Sequence, residues 1–146
     1  MSKKLYKKMN LYLANQEIGY IKLHNLHWYI KGQGFFTLHA KLEELYDQTA
    51  EIIDTVAERL LALGQSPVAN MKAALELATI KELDDAPISS EAAVKGLLKD
   101  VDYWIRDTAE LIGLAEEAGD GATADLFTGY LAEYQKLQWM LRSYLA

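Results

Sequence analysis

Apolar residues recur at steps of three and four between residues 38 and 63. The positions are Leu38, Leu42, Leu45, Ile52, Val56, Leu60 and Leu63. This spacing aligns their side chains along one face of an α-helix, and such an apolar face packs against a core. The pattern predicts one long amphipathic helix in this part of the chain.

Glycine and proline divide the rest of the chain into similar stretches. Long helices are predicted over residues 3–30, 35–63, 89 or 90–118 and 123–146. The loop 31–34 carries two glycines, and Gly64 favours the end of the second helix. Residues suited to begin the last three helices are Thr37, Ser89 or Ser90, and Thr123.

The second and third helices are joined by a long connection, residues 65–87. It contains Pro67, a short helical patch at 71–78 and a turn-prone stretch at 84–87. Two helices, a long connection and two more helices form the arrangement of ferritin-like bundles. We therefore predict a single all-α domain over residues 1–146, a ferritin-like four-helix bundle with a short extra helix in the crossover.

The amino-acid composition excludes several kinds of functional site. The chain has no cysteine, which excludes disulfides, thiolate metal sites, cysteine nucleophiles and iron–sulfur clusters. Any bound metal must be held by His, Asp, Glu or water. The net charge of −6 argues against binding nucleic acid with the whole surface. The first ten residues lack the apolar run of a signal peptide, and no run of about 18 apolar residues occurs, so we expect a soluble, cytoplasmic protein without a membrane span.

All three histidines fall between residues 24 and 39. His27 lies near the end of the first predicted helix and His39 near the start of the second. Glu43 follows His39 by four residues and shares its helical face. Together these three residues resemble half of a site for a first-row transition metal. The alternative is that each histidine is a helix cap or a packed residue, which is the commoner role.

A second carboxylate pair, Asp54 and Glu58, lies further along the same helix. Asp54 follows His39 by 15 residues, about 22 Å along a helix axis, which no single metal site spans. Two copies of the helix running antiparallel would place His39 and Glu43 of one chain opposite the acidic pair of the other. The competing interpretation is a solvated acidic face, with Asp54 paired to Arg59.

Six segments form one pattern along the chain: HNLHWYIKG at 24–32, FFTLH at 35–39, LEELY at 42–46, DTVAER at 54–59, LG at 63–64 and TADL at 123–126. Together they resemble the Dps family, the mini-ferritins also called DNA-binding proteins from starved cells. The resemblance covers essentially the whole chain.

The resemblance implies a hollow bacterial homododecamer that oxidises iron as a ferroxidase, preferably with hydrogen peroxide, and stores ferric oxide. It implies metal ligands His27, His39 and Glu43 from one subunit and Asp54 and Glu58 from its two-fold partner. Many relatives carry Asp where this chain has Glu43.

Two further residues near the histidines have alternative roles. Trp28 is either an electron donor at the site or a core residue, and His24 is either a secondary ligand or a surface or second-layer histidine. Trp104, Trp139 and the many tyrosines are expected to be structural.

An acidic group surrounds the break between the last two helices. Its members are Glu116, Glu117, Asp120 and Asp125. The family resemblance implies that this region lines three-fold pores that draw Fe(II) inward, with Asp120 and Asp125 as the main candidates and Glu117 as a third. The alternative is a solvated helix end.

DNA binding, with compaction of the nucleoid, is the second function to weigh. Some relatives use a lysine-rich tail, whereas Lys3, Lys4, Lys7 and Lys8 here fall in a helical pattern. A dodecamer of acidic chains also repels phosphate, so DNA binding is not favoured. A purely structural assembly is a third interpretation. A di-iron enzyme with an organic substrate would need Glu-x-x-His motifs, which the sequence lacks.

Overall fold

The computed structural model describes residues 2–146, and most of them are helical. The five helices are α1 (Ser2–Tyr29), α2 (Phe35–Ala62), α3 (Met71–Leu77), α4 (Ser90–Glu117) and α5 (Gly121–Leu145). Two short strands, β1 (Ile30–Lys31) and β2 (Ile88–Ser89), complete the element list. The all-α class is confirmed, and the predicted helical patch in the crossover is α3.

The described chain divides into two compact units. One comprises Asn10–Ala93 and holds most of α1, all of α2 and the crossover. Its fully buried apolar side chains include Tyr12, Leu13, Ile18, Val56 and Leu60. Every histidine and every residue of the predicted oxidation site belongs to this unit.

Asparagines of α1 hold the crossover in the Asn10–Ala93 unit. The Asn15 side-chain oxygen accepts hydrogen bonds from the backbone N–H groups of Thr79 and Ile80, at 2.8 and 3.0 Å. Its amide nitrogen donates to the Thr79 hydroxyl at 3.0 Å. Asn10 and Asn25 bind other backbone groups of the crossover. Since α3 buries only Ala74, polar contacts contribute much of what fixes this long connection.

The strand pair was not predicted. Ile30 was expected to end the first helix, but α1 ends at Tyr29 and Ile30 pairs in parallel with Ile88. The pairing gives hydrogen-bond partners to backbone groups that follow the last helical turn. Gly32, with φ of +108°, then turns the chain toward α2 in a conformation that side chains rarely adopt.

The starts of α2 and α4 differ in how they are capped. The prediction that Thr37 caps α2 was wrong, because the N-cap is Gly34, with φ of 78° and no side-chain hydrogen bond. Gly34 takes a left-handed conformation that threonine would adopt only with strain. At α4, the Ser89 hydroxyl accepts from the Ala92 N–H at 3.2 Å, so Ser89 caps a helix that begins at Ser90.

The other unit combines the chain up to Met9 with Val94–Ala146. Its core includes Leu5, Met9, Leu111 and Phe127. Lys8 forms ion pairs with the buried Asp107 and, at 2.9 Å, with Glu110. Within residues 2–146, none of the helices combines the length and the apolarity needed to cross a bilayer.

Candidate metal centre

The ring of each of His27 and His39 forms a hydrogen bond with the backbone carbonyl of the other residue. His27 lies in the last turn of α1, and its Nδ1 is 2.7 Å from the carbonyl oxygen of His39. His39 lies near the start of α2, and its Nδ1 is 2.7 Å from the carbonyl oxygen of His27. A carbonyl only accepts, so both bonds require the ring proton on Nδ1. In a neutral imidazole of this tautomer, Nε2 carries the lone pair that binds a metal.

Stacked rings restrict the two imidazoles further. The His27 and His39 ring centroids are 3.6 Å apart with 14° between the planes. Phe35, the first residue of α2, also stacks on His39, at 5.1 Å and 19°. His27 is only 5% exposed. Phe35 was not singled out from the sequence, although it lies one helical turn before His39, where such a contact is geometrically expected.

Glu43 is the carboxylate that lies beside this pair. Its Oε1 is 3.9 Å from His27 Nε2, and its side chain is 58% exposed. Nitrogen and oxygen ligands lie about 2.0–2.2 Å from a first-row ion, so two ligands of one ion are separated by up to about 4 Å. His27 and Glu43 are therefore close enough to share one divalent cation, and the participation of His39 stays a prediction.

An aromatic layer covers the Glu43 side of the pair. Tyr46 donates from its hydroxyl to Glu43 Oε1 at 3.4 Å, and its ring stacks on His24 at 3.8 Å and 18°. Desolvation, with the neighbouring Glu43 and Asp47 carboxylates, raises the pKa of Tyr46, so the hydroxyl stays a donor. His24 Nδ1 lies 3.0 Å from the Tyr20 carbonyl. His24 thus belongs to the layer of rings, and Tyr46 is a site residue that sequence reasoning missed.

The tryptophans are not all core residues. Trp28 is 65% exposed, so the core-packing role is absent within the chain, and its ring lies 5.2 Å from that of His24. Trp104 is buried and stacks on Tyr134, as expected of a structural residue. Trp139, also expected to be structural, is 64% exposed.

Asp54 and Glu58 lie apart from the histidines. Both are exposed on α2, which runs without a break from Phe35 to Ala62. The rise of the helix places Asp54 about 22 Å from His39 along its axis. Among residues 2–146, no three His, Asp or Glu side chains are grouped closely enough to hold a metal ion. Within one chain, the pair Asp54 and Glu58 is therefore separate from the histidines.

Of the predicted pore residues, Asp120 has a structural role. Its carboxylate accepts from the Thr123 N–H at 3.0 Å and from the Thr123 hydroxyl at 2.6 Å, which caps α5. The prediction that Thr123 opens this helix was wrong, since α5 begins at Gly121. Glu116, Glu117 and Asp125 are exposed.

Comparison with known proteins assigns this chain to a family. The model of the ferritin-like domain matches residues 6–146. A DNA protection during starvation protein 2 of Bacillus anthracis is 40% identical over 99% of each chain. The chain belongs to the Dps family of ferritin-like proteins. The family resemblance and the ferritin-like fold class are thereby confirmed.

Solved Dps structures share this fold closely. The Staphylococcus aureus Dps has a TM-score of 0.94 and 38% identity, with 99% of this chain and 96% of that chain covered. The Vibrio cholerae Dps, described as a member of a ferritin-like diiron-carboxylate superfamily, has a TM-score of 0.94 and 36% identity over 99% and 91% of the two chains. The imidazole and carboxylate groups at His27, His39 and Glu43 suit that chemistry.

Proposed function

We propose that this Dps protein is a ferroxidase that oxidises Fe(II), preferably with hydrogen peroxide, and stores the ferric oxide inside a homododecamer. The observation that carries the proposal is the reciprocal His27–His39 pair, which directs both Nδ1 atoms to carbonyls and holds His27 Nε2 3.9 Å from the Glu43 carboxylate. Metal-binding histidines commonly donate their other ring N–H to a carbonyl in this way.

The site is shared between two subunits. His27, His39 and Glu43 supply one half, and Asp54 and Glu58 of a two-fold partner supply the other. The unbroken α2 supports this arrangement, because a two-fold axis across its middle brings opposite ends of two copies together. Ile21, Trp28 and Leu61 are exposed apolar residues of α1 and α2 that a partner subunit would cover.

The ligands suit iron in both oxidation states. Neutral imidazoles and carboxylates bind Fe(II) and Fe(III), and a small protein ligand set leaves positions for water and the oxidant. Two Fe(II) ions each give one electron to one hydrogen peroxide molecule, whose O–O bond breaks and which takes up two protons from water to form two water molecules, so no hydroxyl radical is released. The two carboxylates from the partner offset the added positive charge of the ferric product. This protects the cell from oxidative damage while it stores iron.

Anaerobic Fe(II) titration of the assembled protein, followed by peroxide, tests the proposal. Wild-type protein should bind Fe(II) at each dimer interface and oxidise it rapidly, and Asp54→Asn should lose both properties. Glu133→Gln removes an exposed carboxylate of α5 far along the sequence from the site, so it serves as the matched control. Equal oxidation by wild type and Asp54→Asn would contradict the proposal and favour a purely structural assembly.

DNA binding is the second candidate, because relatives carry names that refer to DNA protection. Lys8 forms ion pairs with Asp107 and Glu110, so its charge is already paired. The other N-terminal lysines lie within helix α1, which begins at Ser2, and do not form an extended tail. Lys3, Lys4 and Lys7 are exposed and are the groups that would contact phosphate. A gel shift that survives about 0.15 M salt, and that is lost when these three lysines become Gln, would support a nucleoid-associated role.

A further inference from the structure

Glu43 poses a specific problem for the proposed site. Its side chain is one methylene longer than that of aspartate, and 58% of it is exposed. A longer and more exposed side chain occupies more rotamers, so binding a metal costs it more conformational entropy. A contact that holds its carboxylate near His27 before metal arrives would offset this cost.

Tyr46 makes such a contact. It lies three residues after Glu43, on the neighbouring turn of α2, and its hydroxyl donates to Glu43 Oε1 at 3.4 Å. The same oxygen is the one that lies 3.9 Å from His27 Nε2. One carboxylate oxygen is thus placed between a hydroxyl donor and an imidazole ligand. At 3.4 Å the hydrogen bond is long, so a modest movement of Glu43 is enough to shorten it.

The Tyr46 ring is itself held in place. It stacks on His24 at 3.8 Å and meets the His27 ring edge-on, at 5.3 Å and 88°. The Tyr20 ring packs edge-on against both Tyr46 and His24. The contact of His24 Nδ1 with the Tyr20 carbonyl anchors the stacked histidine to α1. Rings on three sides leave the Tyr46 hydroxyl little freedom to leave Glu43.

We propose that Tyr46 is a positioning residue for metal binding, which holds the Glu43 carboxylate toward His27 Nε2. This inference rests on the proposed function and concerns how its site is assembled. Tyr46 acts through Glu43 and is not a ligand. The stacked His24 supports Tyr46, which gives the third histidine of the chain a role without metal contact.

The variant Tyr46→Phe separates positioning from packing, because it keeps the ring and removes only the hydroxyl. The probe is Co(II), titrated anaerobically into the assembled protein and followed by its visible absorption, so no oxidation is measured. Loss of a group that orients a ligand typically weakens metal binding by 10–100-fold, and we expect about tenfold here. Tyr6→Phe, a tyrosine of the other unit, is the matched control and should bind Co(II) as wild type does.

Double variants that combine Tyr46→Phe with a substitution of Glu43 test whether Tyr46 acts through Glu43. In Glu43→Ala protein there is no carboxylate to hold, so adding Tyr46→Phe should change the Co(II) affinity less than twofold. Adding Tyr46→Phe to Glu43→Asp protein should also reduce the Co(II) affinity by less than it does in wild type, because the shorter aspartate side chain has fewer rotamers to restrict.

The outcomes separate this inference from the proposed function. Tight Co(II) binding by wild type that Tyr46→Phe leaves unchanged would overturn the inference alone. A tenfold loss that persists in Glu43→Ala protein would also overturn it, since Tyr46 would then act by another route. Wild-type protein that binds no Co(II), or whose binding is insensitive to His39→Ala, would overturn the proposed function itself.

Discussion

The rings of His27 and His39 each donate from Nδ1 to the other residue's backbone carbonyl, at 2.7 Å in both directions. The carbonyl of His27 is among the last of α1 and has lost its ordinary helical partner. The same bond therefore provides a partner for a helix-terminal carbonyl, fixes the proton on Nδ1 and orients the imidazole ring. This reciprocity makes the two histidines a single structural unit.

Replacing either member of the pair should abolish metal binding. His27→Gln and His39→Gln each remove an Nε2 ligand and one of the two reciprocal bonds, so we expect at least a hundredfold loss of Co(II) or Fe(II) affinity. His24→Phe keeps an aromatic ring on Tyr46 and should weaken binding only a few-fold. Isothermal titration under anaerobic conditions provides the measurement, and a larger loss for His24→Phe than for His39→Gln would show that His24 is the ligand.

Asn15→Ala should destabilise the Asn10–Ala93 unit. The substitution leaves two part-buried backbone N–H groups of the crossover without their acceptor, which costs about 1–3 kcal/mol in the free energy of unfolding. Asn25→Ala is the comparison, because Asn25 makes an exposed bond to the Asp84 carbonyl and should cost below about 1 kcal/mol. Urea denaturation of both variants measures the difference, and equal costs would contradict the role given to Asn15.

Asp107 should give the unfolding free energy a pH dependence. Burial raises the pKa of this carboxyl above its usual 3.8, even though Lys8 opposes the shift. The folded state therefore holds the proton more strongly than the unfolded state. This contribution to the free energy of unfolding is fully present below pH 3.8, the ordinary pKa of the carboxyl. It is lost as the pH rises through the raised pKa of the folded state.

The matching experiment compares wild type with Asp107→Asn across that pH window. The variant lacks the titration, so its stability relative to wild type should rise as the pH increases from about 4 toward neutrality. Glu133→Gln, which also removes one carboxylate but at an exposed position of α5, is the matched control. A stability difference between wild type and Asp107→Asn that stays constant with pH would contradict the assignment.

Removing charge near the start of α5 should slow iron entry without weakening the oxidation site. Combined Glu117→Gln and Asp125→Asn should reduce the rate of Fe(II) uptake severalfold at low salt and flatten its dependence on ionic strength. Co(II) affinity at equilibrium should not change. Asp120→Ala should instead lower stability by about 1 kcal/mol, because Asp120 caps α5. Stopped-flow rates that are identical for wild type and the double variant would exclude the entry role.

Local spacing was enough to predict much of this molecule. Helix periodicity and glycine breaks located the five helices to within a few residues, and the interval of four between His39 and Glu43 identified a common face. The strand pair at Ile30 was missed because it depends on contact with Ile88, far away in sequence. The N-cap of α2 is Gly34 and not the predicted Thr37, because the left-handed backbone conformation at Gly34 sets where the helix begins.

The surroundings of the histidines were harder to predict for the same reason. Tyr46 and Phe35 have the ordinary spacing of helix residues, and nothing in their own sequence context distinguishes them from core aromatics. Their roles appear only once the end of α1 meets the start of α2. The reciprocal bonds between His27 and His39 likewise require the carbonyl of one helix to face the ring of another.

Mixed assemblies test the shared site most directly. His39→Ala and Asp54→Ala proteins, each inactive alone, are unfolded together and reassembled in equal amounts, then assayed for peroxide-driven Fe(II) oxidation. Each mixed dimer regains one intact site, so random pairing should restore about a quarter of wild-type activity. Activity no greater than that of the two variants reassembled separately would contradict a site built from two subunits.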